Sequence, residues 1–218
     1  MRHGKFEEKQ NSHADVEKGK NKKTTAPGAE RIKETLLYFH DLVFLLGIGL
    51  LILLLCFKIV IVSGSSMKNT LVDGDYLLLL SNTFYREPKY GDIIVASKDA
   101  YENGTPIVKR VIATEGQEVD IDFINGIVYV DGAALDEPYV SSGMLYEGVD
   151  FPLVVDEGCL FVMGDNRIVS QDSRSHEIGL IDCREVLGRA ILLFLPGTDR
   201  GNMSRDFSRL EVFLDGAR

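Results

Sequence analysis

Residues 42–57, LVFLLGIGLLILLLCF, run for sixteen positions without a charge, and no other stretch constrains this chain so tightly. A helix that is apolar on every side has no face to turn to water, so in a chain of this size it belongs in a bilayer rather than in a protein core. At ~1.5 Å per residue the run reaches about 24 Å, short of the roughly 30 Å hydrocarbon layer. Its flanks make up the difference. Residues 36–39 extend the apolar body on one side and 59–62 on the other, while Lys58 can lift its ammonium to the interface along its aliphatic stem. The sequence therefore predicts one transmembrane helix over residues 35–62. A cleaved export signal is disfavoured, because about forty residues precede the run and no small-x-small site follows it cleanly.

Residues 1–34 are rich in Lys, Glu, Asn, Ser and Gly and hold too little apolar surface to offset the entropy of ordering, so they read as a disordered tail. Nine Lys and Arg lie within residues 1–35, against six acids, which predicts that this end stays in the cytoplasm and the body lies outside. The local charge of +3 leaves −12 of the whole chain's −9 for residues 36–218, an acidic body that argues against nucleic-acid binding. The three cysteines, Cys56, Cys159 and Cys183, show no CxxC spacing or paired His, so no metal site is expected. A Cys159–Cys183 disulfide suits an extracytoplasmic body, subject to a geometry that sequence does not contain.

From residue 60 the periodicity changes. Short apolar runs cut by Gly, Asp and Asn follow one another: DYLLLL, DIIVAS, PIVKRVIA, QEVDIDF, IVYVDG, CLFVMG and AILLFLP. This predicts one mostly β domain over residues 63–218, a sandwich or barrel. Asn125-Gly126, between apolar stretches, is a hairpin signal because both residues tolerate positive φ. The run at 190–195 is too short for a second span and ends at Pro196, so it reads as a core strand.

Just past the apolar run comes Ser63-Gly64-Ser65-Ser66-Met67-Lys68-Asn69-Thr70-Leu71. Small polar residues usually mark a turn, and a serine hydroxyl becomes a nucleophile only beside a group able to take its proton. Of the four histidines, His3, His13 and His40 lie in the tail or at the membrane's inner edge, so a Ser-His-Asp arrangement could use only His176. Lysine is the other candidate base, and Pro106-Ile-Val-Lys109-Arg110-Val-Ile-Ala113 places two cations in an apolar strand. Alternation puts Lys109 on one face and Arg110 on the other. A guanidinium stays protonated at any working pH, whereas a desolvated ammonium can lose its proton, which favours Lys109; an edge charge paired with an acid is the bland alternative.

These two segments, with Tyr90-Gly91-Asp92-Ile93-Ile94-Val95 and Gly164-Asp165-Asn166-Arg167-Ile168-Val169-Ser170-Gln171-Asp172-Ser173-Arg174, resemble the four ordered boxes of type I signal peptidases, from the apolar run to about Pro196. The resemblance implies a signal-peptidase-like β catalytic domain on a single anchor, with Ser66 as nucleophile and Lys109 as general base. It also implies that Ser170 orients the lysine amine, that Asp172 and Arg174 hold a supporting loop, and that Asp165 and Asn166 form its turn. The Ser66 N–H would donate to the oxyanion. Neither a metal nor another cofactor is implied. The partners implied are preprotein signal peptides and the lipid bilayer, with the chain acting as a monomer. The substrate end would add as a strand, with Val62, Ser63 and Val108 as pocket walls selecting small residues as in Ala-x-Ala.

Two features depart from the common family pattern, and a third places the chain within the family. Gly64 stands where Gram-negative members place a serine hydroxyl, which matches the compact single-anchor Gram-positive form; Asn69 replaces a usual proline, and Ile168-Val169 an Asp-Asn pair. A membrane-tethered, weakly active or inactive paralogue that binds exported proteins is the alternative Asn69 leaves open. A cytoplasmic self-cleaving repressor peptidase shares the chemistry but lacks the anchor.

Overall fold

The structure, a computed structural model, describes residues 27–98, 101–140, 143–146, 148–198 and 204–213. The tail reading falls mostly on residues 1–26, outside the described residues. Helix α1, Pro27–Cys56, opens on a proline, a residue suited to a first helical position because it has no N–H to leave unbonded. Residues 27–34, read from sequence as tail, are therefore helical. The stretch Arg31–Cys56 has a mean hydropathy of 2.5 over its most apolar window and none of that window is buried in the protein, as a membrane span requires.

The helix stops at Cys56, and residues counted from sequence as the far end of the span form strand β1, Phe57–Ile61. The β-branched run Ile59, Val60, Ile61 favours a pleated backbone. Its partner is β2, Tyr76–Ser81, with Phe57 opposite Leu80 and Ile61 opposite Tyr76. Pairing in register with another strand supplied the tertiary preference that hydropathy alone could not see.

The body is antiparallel β. Its large sheet adds β3 (Ile93–Ala96), β4 (Ile107–Thr114), β9 (Cys159–Met163), β10 (Ile181–Asp182), β11 (Val186–Leu195) and β12 (Glu211–Val212), in the order β1-β2-β11-β3-β4-β9-β10, with β12 also on β11. A smaller sheet holds β5 (Glu118–Asp122), β6 (Ile127–Val130), β7 (Ala133–Ala134) and β8 (Leu153–Val154), in the order β7-β6-β5-β8. β2 alternates, with Leu77, Leu79 and Ser81 buried, whereas β3 and most of β4 are buried on both faces. The cations of β4 thus lie deep in the body. The cluster around Leu77, Leu79, Ile93 and Val95 also takes in Val62, Met67 and Val108.

The β5–β6 hairpin forms, though by a longer loop than Asn-Gly suggests. Asp122 faces Ile127 across four loop residues, only Gly126 of the pair has positive φ, and the Asp122 carboxylate accepts from the Ile124 and Asn125 N–H groups. That side-chain bonding stands in for the second left-handed residue a two-residue turn needs. All three cysteines are free: Cys159 faces Asp182 in the β9–β10 register, so Cys183 lies one position past the pair instead of across from it.

Asp182 caps the 3-10 turn Cys183–Glu185, and the side-chain bond from Arg184, followed by the Arg184 N–H, holds its carboxyl down at about 2. A carboxyl lowered in the folded state adds stability above its unfolded value and loses it as pH falls through the folded one. Arg184→Ala, which keeps the backbone cap, is expected to bring the Asp182 titration part of the way up toward 3.8 in carboxyl NMR; an unmoved midpoint would refute the side-chain bond.

Candidate active site

Beyond β1 the chain is pinned where it leaves the sheet. Val62 N–H donates to Asp75 O at 2.8 Å, Gly74 N–H to Val62 O at 2.9 Å, and Gly64 N–H to Asp73 Oδ1 at 2.9 Å. Gly64 sits at φ +92°, a conformation open to glycine and closed to most residues. Three positions on, Met67 is buried in the core, and Thr70 and Leu71 N–H groups return to its carbonyl. Ser66 is thus held between a tied glycine and a buried methionine. Lys109 stands in the middle of β4, opposite Ile94 of β3, and is only 4% exposed. Its Nζ shares a hydrogen bond of 2.9 Å with Ser66 Oγ.

Alternation sends Arg110 the other way, into a different job. Its Nε and Nη2 donate to Asp165 at 2.8 Å each, its Nη1 donates to Gly91 O at 3.0 Å, and its guanidinium lies 3.9 Å over the Tyr139 ring. Burial pulls its pKa down, but the two Asp165 bonds outweigh that and leave it raised, so it remains a cation. Asp165 also accepts from the Thr70 hydroxyl. The pair therefore ties β4 to the chain on either side of the site.

The segment after β9 closes over the serine. Asn166 N–H donates to Ser66 O at 2.9 Å and its side-chain amide to Ser65 O at 3.1 Å, so one residue grips both peptide groups around the hydroxyl. Asp172 and Arg174, both fully buried, form a two-pronged pair with Nε and Nη2 each 2.8 Å from the carboxylate. Asp172 further accepts from Gly164 N–H, while Arg174 donates to Ser170 O, Arg167 O and Leu145 O. Ser170 Oγ makes a long bond of 3.5 Å to Gln171 O and lies against Gly164.

Gly164 was missed in the sequence reading. A Cβ there would stand 2.2 Å from Ser170 Oγ and 2.5 Å from Ser66 O, far inside contact distance. Gly164→Ala must displace the Ser66 peptide or the Ser170 side chain beside it, and an error of about 1 Å in a catalytic site costs on the order of a hundredfold. The expected result is a drop of that size in cleavage rate together with a lowered unfolding temperature in a variant that still folds, since overpacking costs about 1–3 kcal/mol; near-normal cleavage would show that the contact yields.

A family model described as signal peptidase, peptidase S26, matches residues 35–195. Signal peptidase I of Bacillus licheniformis is 37% identical over 158 residues, 68% of this chain and 82% of that one. Signal peptidase I T of Bacillus subtilis strain 168 is 32% identical over 186 residues, 81% and 94% of the two chains, and a probable signal peptidase I-1 of Synechocystis sp. is 37% identical over 150 residues, 65% and 73%. The chain belongs to the signal peptidase family, peptidase S26. Its activity is therefore the removal of signal peptides, and a cleft opens beside Ser66.

That signal peptidase cleft has a volume of about 450 Å³. Ser63 to Ser66 line one side, Ile107, Val108 and Lys109 another, and Val169 and Gln171 close it. Of the three expected pocket walls, Ser63 and Val108 are there. Val62 is not: it packs in the core with Met67 and Leu71, and Val60 and Ile61 line the cleft in its stead. The two bonds that fix Val62 at the sheet's end turn its side chain inward. His176 is not among the lining residues and lies beside Gly148. Among the described residues no group of His, Cys, Asp or Glu is arranged to hold a metal ion.

Asn69 adopts φ +100° and its amide donates to Tyr139 O at 3.2 Å. Proline is locked near −65°, so the turn after Ser66 has a shape that the usual proline could not take. Ile168 and Val169 are exposed at the surface of their loop. Two further contacts escaped the sequence: a Tyr101 Oη bond of 2.6 Å to Gln171 Oε1 across the cleft, and an Arg167–Glu137 pair behind the loop. Partners 70 and 30 residues apart leave no local pattern to find.

Proposed function

We propose that this signal peptidase is a membrane-anchored serine endopeptidase that cuts preproteins through a Ser66–Lys109 dyad. The observation that carries the reading is the 2.9 Å bond between Lys109 Nζ and Ser66 Oγ, with Lys109 only 4% exposed. Burial penalises a charged ammonium, and a neutral amine at that distance can accept the hydroxyl proton. The serine oxygen then attacks the scissile carbonyl. The Ser66 N–H donates to the developing oxyanion, and the protonated amine returns its proton to the leaving nitrogen. Water, deprotonated by the same amine, releases the signal peptide from the serine. Asn166, Asp172, Arg174, Asp165 and Ser170 hold the loop and the turn that position these groups.

The substrate enters as a strand. β9 pairs with β4 only from Arg110 to Thr114, which leaves residues 107–108 open on that edge, and β1 is a terminal strand of the sheet. An extended signal-peptide end pairing there sets its first and third residues before the cut toward Ser63 and Val108, where small side chains fit. The helix ending at Cys56 anchors the chain in a single pass, with residues 1–34 cytoplasmic and residues 63–218 outside. Protease added to the outer face of intact cells should digest the body and spare a fragment that includes the helix; the reverse pattern would overturn the orientation.

A preprotein mixed with excess detergent-solubilised enzyme should show a burst of acyl-enzyme on Ser66 and cleavage after a small-x-small sequence. A chain that binds the preprotein with neither burst nor product would be the tethered, inactive paralogue. Because the base works only as the neutral amine, the rate should fall steadily as pH is lowered, with the protein still folded. A flat profile would remove Lys109 from the role.

A further inference from the structure

The acidic body has a cationic exception. At one end of β2 and β11 an open cavity of about 330 Å³ is lined by Arg86, Lys89 and Arg189, with Glu87 as the acid among its walls and Phe84 at its side. Arg189 forms a fixed floor: Nη1 donates to Asp92 Oδ1 at 3.0 Å, and its guanidinium lies 5.7 Å from the Tyr85 ring centre. Asp92 is itself held by the Tyr85 hydroxyl and the Lys89 N–H. Arg189 Nε is buried and has no hydrogen-bond partner among the described residues. Counting both acids, the cluster keeps one net positive charge. Lys58, whose ammonium reaches Leu187 O at 3.2 Å, adds a second from β1.

Strand register fixes where this cluster lies. Arg189 pairs with Leu80, and Leu80 pairs with Phe57, so the three form one row across β11, β2 and β1. At ~4.8 Å per strand the Arg189 backbone is about 10 Å from Phe57, the residue that follows the last residue of α1. A headgroup layer is roughly 5–8 Å deep and Arg and Lys side chains extend by a similar length, so a cationic row this close to the end of an apolar helix suits contact with lipid phosphates. Phe84 and Ile59, both well exposed, supply the apolar contact that an interfacial site uses.

We infer that this cavity binds the phosphate of an anionic lipid headgroup, with Arg86 and Lys89 closing over it from either side and Arg189 beneath. The inference rests on the reading of α1 as a membrane span, and it is independent of the proteolytic site. A phosphodiester oxygen matches the fork of an arginine and the point charge of a lysine, and the surrounding negative body disfavours a free, fully charged phosphate.

The test uses the full chain reconstituted in nanodiscs of equal phosphatidylglycerol and phosphatidylcholine, then released into mild detergent for native mass spectrometry. The wild type should retain phosphatidylglycerol over phosphatidylcholine by about fivefold or more, and the double variant Arg86→Gln, Lys89→Gln should lose that preference. Arg184→Gln, which removes a cation elsewhere, should keep it. Equal retention by the wild type, or a preference that survives the double variant, would overturn the site. Calorimetric binding of inorganic phosphate at this cavity in pure phosphatidylcholine, removed by the same variant, would assign it to the free ion and overturn the lipid assignment. Alkaline carbonate extraction separates the underlying reading: a wild-type chain that leaves the membrane would sink the span itself.

Discussion

Ser66→Ala and Lys109→Ala are each expected to lower preprotein cleavage by at least about a thousandfold, with the double variant no worse than either alone. Two groups that act as one unit in a single proton transfer give such non-additive losses. Lys109→Arg separates chemistry from packing. A guanidinium keeps the length and charge of the side chain but stays protonated, so it cannot take the hydroxyl proton. It should be as inactive as alanine. The measurement is single-turnover cleavage of a radiolabelled preprotein by the purified chain, with circular dichroism to show that each variant folds. Cleavage within about tenfold of normal by any of the three would end the dyad assignment, because the 2.9 Å contact would then be a structural bond and nothing more.

Asp172→Ala is expected to be strongly destabilising, at about 3–5 kcal/mol, because it removes the two-pronged carboxylate from a guanidinium that is fully buried. For a domain of this size that corresponds to a fall of roughly 6–20 °C in unfolding temperature. The carboxylate also accepts the Gly164 N–H, so the turn next to Ser66 and Ser170 is loosened by the same substitution. Activity should therefore be lost at temperatures where the protein is still folded. The paired change Asp172→Leu with Arg174→Met removes both charges and should recover much of the stability, but not the activity, since the bonds from Arg174 to Ser170 O and Arg167 O go with it. Thermal unfolding that moves by less than about 2 °C in Asp172→Ala would show that water reaches the pair.

The strand-rich body and its chemistry could be read from local patterns. Alternation in DYLLLL and the buried run in DIIVAS depend only on which side chains neighbour one another along a strand, and both became strands of the large sheet. That Lys109 and Arg110 take opposite faces followed from the two-residue repeat, while the chemistry of the two cations and the family resemblance made Lys109 the candidate base. What lay beyond reach involved partners far apart in the chain. Val62 was expected on the cleft because it precedes the serine, yet its bonds to Asp75 and Gly74 turn it into the core. Gly164 looked like one turn residue among several until Ser66 O and Ser170 Oγ came to rest against it.

Asn69 shows the same division at one position. Its departure from a family proline is visible in the sequence, but its direction is not: the backbone at φ +100° and the bond to Tyr139 O arise from how a loop seventy residues later packs against the turn.

Residue order alone established an apolar segment long enough to cross a bilayer, a mostly β body, and a serine and a lysine of the right chemical kinds. Those properties belong to single side chains and to periods of two or four residues, which any local stretch carries within itself. Only the fold decided that the helix yields to a strand at Phe57, that Arg110 is tied to Asp165 while Lys109 meets Ser66, and which residues wall the cleft. Hydrogen bonds and contacts across about a dozen to a hundred residues set those outcomes, and their energies depend on distances that exist only once the sheets have closed.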